Sequence, residues 1–258
     1  MLVWISLNKM RNDIKLLLTL FVVLLFTACG GNTTEPYAKE PGVEDSAKTD
    51  LLETGAKVLQ EKVPIETINL YLDGFHFYNG NMKGQMEAHH YCTVLNEDVT
   101  QCIIYDGNVK KAHIMGVEYI ISEKLFKSLP EDEKKLWHSH NHEVKSGTLI
   151  APGIPEKAEH ELMEKLVSTY GKTWHTWHTD RDKELSYGSP QLMMGFTKDG
   201  QLEDSLITRR DKNFEFSTAE KRKNRADIPD HTILPGADSW QNGEVIQLPS
   251  LTKQDHQH

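Results

Sequence analysis

The segment LWHSHNHEVKSG, Leu136 to Gly147, sets His138, His140 and His142 at alternate positions beside Trp137. Imidazole serves two chemistries near neutral pH: it binds metals through a neutral ring nitrogen, and it carries protons. A zinc site needs three or four N, S or O ligands that converge. An acid–base site needs its group within hydrogen-bond reach of the proton it moves. In an extended backbone His138, His140 and His142 share one face, and in a helix His138 and His142 sit at i and i+4. Both conformations bring two imidazoles to one ion. A further ligand would come from His175, His90, His76 or Glu143, and the implied cofactor is a divalent metal such as zinc.

Ten of the 13 histidines lie between His76 and His178, eight of them in the groups FHF, AHHYC, WHSHNHE and TWHTWH. Each group joins histidine to an aromatic residue: Phe75, Phe77, Tyr91, Trp137, Trp174 or Trp177. A second reading is therefore a packed wall, in which buried Trp fills space and buried His makes hydrogen bonds without chemistry. His256 and His258 read as solvated tail. Familiar catalytic patterns are missing. The metallopeptidase pattern that follows His-x-His with Ser and Asp fails, because Thr148 and Ala151 stand at those positions. There is no His-Glu-x-x-His, nucleophile elbow, phosphate loop or dinucleotide fingerprint.

The elements that must position these residues can be read from periodicity. LLETGAKVLQ carries Leu51, Leu52, Gly55, Val58 and Leu59 on one helical face. Pro64 opens PIETINLYLDGFHFY, where Ile65, Ile68 and Leu72 make a helical stripe that Asp73-Gly74 would end. HHYCTVL, TQCIIYDG and AHIMGVEYIIS read as three neighbouring strands in an antiparallel meander. Ser128 reads as the cap of a helix over PEDEKKLW. IPEKAEHELMEKLVSTYG is the clearest helix, with Gly171 as its C-cap. KTWHTWHTD and PQLMMGFT supply the last strands. The fold class predicted is α+β: an antiparallel sheet with helices packed on it, in a single domain over residues 51–207. Cys92 and Cys102 flank TVLNEDVTQ and would face each other across a hairpin. They form a disulfide in an oxidising compartment or a reduced buried pair.

The ends read differently. Lys9, Arg11 and Lys15 precede the apolar run Leu16 to Ala28, whose 13 residues are short for a bilayer span and suit a secretory leader over residues 1–28. LFTAC resembles a bacterial lipobox, with Phe26 where leucine is usual; it implies cleavage before Cys29 and acylation there. Residues 29–50 read as a flexible polar stalk. Residues 208–258 read as a polar, loosely packed tail with Ile233, Leu234, Trp240, Val245 and Ile246 as docking points. The formal charge is −9, and losing the leader makes it more negative, which excludes nucleic acid as a partner and disfavours anionic lipid by electrostatics.

PIETINLYLDGFHFY, EAHHYCTVLNEDVTQCIIYDG, GVEYIIS, LFKSLPEDEKKLWHSHNHEVKSG and TYGKTWHTWHTD resemble the oil body-associated protein family, the DUF1264 domain. The resemblance covers roughly Leu51 to Gly200. His90, Tyr91, Cys92, Cys102, His138, Ser139, His140, Glu143, Lys145, Gly147, Trp174 and His175 match its string, whereas His142 and His178 depart from it. The resemblance implies association with lipid and supplies no catalytic residue or cofactor. Because plant members face the cytosol, it does not require a disulfide at Cys92 and Cys102.

Two functions follow as expectations. One is an envelope lipoprotein, anchored through Cys29 in a membrane such as the bacterial outer membrane, that binds lipid, a small ligand or a protein. It predicts an apolar groove or patch on the body. The other is a metal-assisted or histidine acid–base hydrolase, in which His138, His140 and His175 converge with His90, His76 and Glu143.

Overall fold

The computed structural model describes residues 33–39 and 41–248. The leader, Cys29, His256 and His258 lie outside the described residues. Seven strands are present: β1 (Leu70–Tyr78), β2 (Asn81–Asn96), β3 (Val99–Tyr105), β4 (Ile114–Ile121), β5 (His138–Ser139), β6 (Tyr170–His175) and β7 (Gln191–Met194). They run in the order β4-β3-β2-β1-β7-β6, and β6 then pairs back onto β4 from Gly116↔His175 to Ile121↔Tyr170. The result is a closed six-stranded antiparallel barrel. This corrects the expected open sheet with helices packed on it. Periodicity locates strands, but it carries no signal that β4 and β6, separated by four helices and a short strand, share an edge. Short β5 adds to the remaining edge of β6 through His138↔Gly171.

The closure depends on Gly116. A Cβ at that position would overlap the Trp174 carbonyl oxygen across the β4–β6 seam. Register shifts at Phe77/Tyr78, Val94/Asn96 and Ile104/Tyr105 bend the strands, as bulges do where a sheet curls.

Residues opposite one another in an antiparallel ladder share a face. One inward row reads Leu72, His90, Ile104, Gly116, His175, and the next reads Cys92, Cys102, Glu118, Thr173, Met193. Cys92 and Cys102 form a disulfide across β2 and β3. The opposite parity, Asp73, Phe75, Phe77, Glu87 and His89, lies on the outer face and is buried there.

Helices cover the barrel: α1 (Ala47–Leu59), α2 (Val63–Glu66), α3 (Glu123–Lys127), α4 (Glu131–Lys134), α5 (Asn141–Ser146), α6 (Glu156–Leu166), α7 (Asp204–Phe214) and α8 (Thr218–Asn224). Val144 of α5 with Met163 and Leu166 of α6 packs on Leu72, Ile120 and the disulfide. On the outer face Phe75, Phe77 and Phe196 pack with Leu202 and with Leu206 and Ile207 of α7.

Several local expectations change. The helix expected from Pro64 ends at Glu66, and Leu70–Tyr78 is strand β1. Its helical stripe is also an inward set for Leu72, so two periods compete in one stretch and barrel closure decides. Ser128 ends α3 instead of opening the next helix, which starts after Pro130. Gly171 sits in β6. The chain beyond Ile207 is packed: Arg210, Phe214, Arg225, Ile228 and Asp238 are buried, while Ile233 and Val245 stay exposed. In the expected stalk, Thr34 and Ala38 are buried, and the Thr34 amide donates to Asn108 Oδ1 at 2.6 Å.

Gly116→Ala should cost about 2 kcal/mol or more, the usual scale of overpacking against a fixed neighbour. Chemical denaturation checks this, and an unchanged midpoint would contradict a closed β4–β6 seam.

Candidate functional site

The inward-facing polar residues meet in the barrel. Glu118 of β4 is buried at their centre. Its Oε2 lies 2.8 Å from His90 Nε2 and 3.6 Å from His76 Nε2. Its Oε1 lies 3.2 Å from His140 Nε2 and 3.5 Å from His138 Nε2. His175 closes the ring, its Nε2 lying 3.4 Å from His76 Nδ1. All five histidines and Glu143 are 4% exposed or less, so water does not screen this group.

Local structure explains why the His-x-His-x-His segment divides. His138 and Ser139 are strand, His140 is the N-cap of α5, and Asn141 begins the helix. The turn from strand to helix sends His138 and His140 into the barrel and His142 outward, with its Nε2 3.8 Å from Asp199. Ser139, between the two inward residues, donates from its amide (3.0 Å) and hydroxyl (2.7 Å) to Asp238. The far C-terminal segment therefore fixes the pair. Gly171 makes room, since a Cβ there would overlap Glu118 Oε1 and the His138 ring. A Cβ at Gly195 would crowd Glu143 and His138 in the same way.

The ring nitrogens can be assigned from their partners. His90 Nδ1 lies 3.0 Å from the Ala88 carbonyl, which only accepts, so Nδ1 carries a hydrogen. The Thr169 hydroxyl donates to Leu166 O at 2.7 Å and therefore accepts from His140 Nδ1 at 2.8 Å. The other ring nitrogens, Nε2 of His90 and His140, face the oxygens of Glu118. Among the described residues, neither nitrogen of His138 nor Nδ1 of His175 has a hydrogen-bond partner.

Burial, aided by His90 and opposed by Glu118, drives His76 well below its ordinary value. Burial pushes His138 and His175 down to about 3, despite Glu118. Burial would raise the Glu118 carboxyl, but hydrogen bonds to His140 and His90 and the charges of His90 and His138 hold it well below the carboxylate range. Glu143 goes the other way: burial first, then the charges of Glu118 and Asp238, raise it strongly. A cavity of about 10 Å³, lined by His76, His90, Glu118, His140 and Glu143 among others, lies within the group. That is room for one water-sized body.

Sequence reasoning found His76, His90, His138, His140 and His175, and the structure brings these together with Glu143. It missed Glu118, whose one signal is a carboxylate at the centre of the apolar strand IMGVEYII. It named His90 and not its neighbour His89, which belongs to a different network. His89 faces outward to Asp73 (2.9 Å) and Tyr71 (2.8 Å), while Arg210 of α7 pairs with Asp73 at 3.1 Å. Burial and Asp73 push the neighbouring Glu87 up to about 7, against His89, Arg209 and Arg210. His178 lies apart, its Nε2 3.2 Å from the Ser189 carbonyl.

Fold and site define a class: a small antiparallel barrel whose interior holds a buried carboxylate caged by imidazoles. Residues 62–229 match the family described as "Protein of unknown function (DUF1264)". The chain is 45% identical over 219 residues to "Oil body-associated protein 1A" of Zea mays, covering 82% of this chain and 92% of that one. It is 42% identical over 210 residues to "Oil body-associated protein 1B" of Arabidopsis thaliana (81% and 87%). It is 36% identical over 233 residues to "Oil body-associated protein 2C" of the same plant (89% and 97%). The chain belongs to the DUF1264, or oil body-associated, family. No solved structure matches it.

The cage predicts a pH dependence for protein refolded from urea with chelator present. His138 and His175 bind protons near 6.5 when unfolded and only near 3 when folded. The unfolded chain then holds more protons, so stability falls as pH drops from about 6.5 toward 3. Glu118 adds to that loss below its ordinary 4.5. Glu143 has the opposite sign, its contribution being lost as pH rises through its raised value. Comparing the native chain with His175→Gln isolates one contribution: in urea unfolding the variant should lose less stability than the native chain as pH falls from 7.5 to 4.5, and an equal loss contradicts a buried neutral His175.

Proposed function

We propose that this chain is a lipid-surface protein of the cell envelope, tethered through an acylated Cys29 and resting on lipid through α1. The observation that carries the reading is α1 itself. Its sequence AKTDLLETGAKVL forms a helix with no buried residue. Leu51, Leu52, Val58 and Leu59 are 72%, 63%, 77% and 83% exposed, on the side that also carries Gly55. Val63 and Ile65 of α2 are also exposed. An amphipathic helix without a core to pack on fits the boundary between headgroups and acyl chains. A groove of about 370 Å³ that includes Ile65, Ile68, Tyr91, Tyr105 and Val109 adds space for an apolar ligand.

The relatives' name, the net charge and the LFTAC sequence support the reading. The relatives carry the name "Oil body-associated". The charge of −9 disfavours electrostatic attraction to anionic lipid, leaving apolar contact and an acyl anchor as the means of attachment. No helix among the described residues is long and apolar enough to cross a membrane. The lipobox-like LFTAC supports a bacterial envelope as the location.

The hydrolase reading is less favoured. A substrate would have to reach His138, His140 and His175, but the cavity within the cage is only about 10 Å³.

The test is expression of the full chain in a bacterium that processes lipoproteins, followed by membrane fractionation and intact mass. Native chain should fractionate with membrane and carry acyl mass on Cys29, and Cys29→Ser should release it. In the Cys29→Ser background, replacing Leu51, Leu52 and Leu59 with serine should lower binding to phosphatidylcholine vesicles by about tenfold or more. An unacylated Cys29 in a soluble product, with vesicle binding indifferent to α1, would overturn the reading.

A further inference from the structure

We infer that the Glu118 cage is a closed binding site for one divalent first-row transition-metal ion, held by His76, His90, His140 and Glu118, with Glu143 as an additional carboxylate. The site is independent of the lipid-surface reading: it lies inside the barrel, and α1 contributes nothing to it.

Three observations lead there. First, the donors converge. In two sets sharing Glu118, His76 with His90 and His138 with His140, the ligand atoms within each set lie within 4.8 Å of one another. That spacing suits atoms about 2 Å from a common ion. The cavity of about 10 Å³ is bordered by His76, His90, Glu118, His140 and Glu143.

Second, the tethers aim the imidazoles inward. Ala88 O and Thr169 Oγ1 hold Nδ1 of His90 and His140. Their Nε2 atoms then face the Glu118 carboxylate at 2.8 and 3.2 Å. Tethering one ring nitrogen to a carbonyl or hydroxyl while the other faces inward is also how metal-binding histidines are oriented. His138 adds an imidazole with both nitrogens unpartnered and buried.

Third, the charge balances. A divalent ion offsets the charge of the Glu118 carboxylate, enclosed among imidazoles where an uncompensated charge is costly. The donor chemistry sets the class of ion. Nitrogen-rich sites suit zinc, iron, cobalt or nickel, whereas calcium and magnesium take all-oxygen shells. Because every donor is buried, the ion enters as the chain folds and exchanges slowly.

The neighbouring Asp73, Glu87 and His89 also approach one another. That group already holds the cation Arg210 against Asp73, with Arg209 3.6 Å from Glu87. It is balanced without a metal and ties α7 to the barrel.

The experiment uses the full chain without an affinity tag, grown with added zinc and dialysed against EDTA. Metal content by mass spectrometry should be close to one ion per chain. His256→Ala/His258→Ala, which removes the imidazoles at the C-terminus, should keep it; Glu118→Gln and His140→Gln should lose it. Folding of each variant is checked by circular dichroism. Thr169→Val removes only the His140 tether, and it should weaken affinity for cobalt(II) by about tenfold, read from visible absorption after refolding with that ion. Metal-free protein that takes up no cobalt(II) on refolding would overturn the inference, as would metal retained equally by the cage variants. Loss of membrane attachment in Cys29→Ser with metal retained separates this site from the lipid-surface reading.

Discussion

A carboxylate stripped of water inside a β-barrel is the constraint around which this molecule is arranged. Desolvating an ion costs several kcal/mol unless partners replace the lost water. Glu118 has imidazoles on both oxygens. They come from strands β1, β2 and β5 and the cap of α5, with His175 of β6 behind His76, so the cage is complete only once the barrel is closed. Gly116 allows the seam and Gly171 allows Glu118 to approach His138. The Asp238 carboxylate, from near the other end of the sequence, holds Ser139 so that both adjoining histidines face the centre.

The β1–β2 pair works as a board with two faces. Successive residues of a strand alternate between sides, so His89 and His90 serve opposite networks. His90 turns to Glu118, and His89 turns to Asp73 beneath α7. Burial disfavours a charged His89, yet the hydrogen bond and charge of Asp73, with Glu87 and Asp106, raise it. The outer network is thus an arrangement of formal charges that fastens a helix, through Arg210 donating to Asp73, Thr148 O and Thr218 Oγ1. The inner one is an arrangement of imidazoles around one carboxylate. The same residue type gives two chemistries because the partners differ.

Much of the inner network could be read before the fold. The clustered histidines mark themselves by type, and five of the six site residues named as a pocket are imidazoles of the cage. Glu118 could not be read as its centre, because a strand glutamate acquires a side only when register is known. The barrel itself depends on β4 pairing with β6, a long-range contact with no local pattern. At Leu70–Tyr78 the sequence supports two periods, and the helical one loses because its polar members, Asp73 and His76, find buried partners only as a strand. Beyond Ile207 polar composition suggests a loose tail. Arg210, Arg225 and Asp238 are nevertheless buried, since each is matched by hydrogen bonds that composition does not report.

The exposed helix α1 and the caged interior then divide the molecule. One surface of α1 has apolar side chains with no place in the core, while the barrel encloses polar groups with no access to solvent. The account stands on the claim that a dication offsets the Glu118 charge. X-ray absorption at the metal edge of the purified chain tests this most directly. The account predicts a first shell of nitrogen and oxygen at about 2.0–2.2 Å, with the outer-shell scattering of several imidazole rings. A shell made only of water oxygen or sulfur, or no metal edge above background, would contradict it.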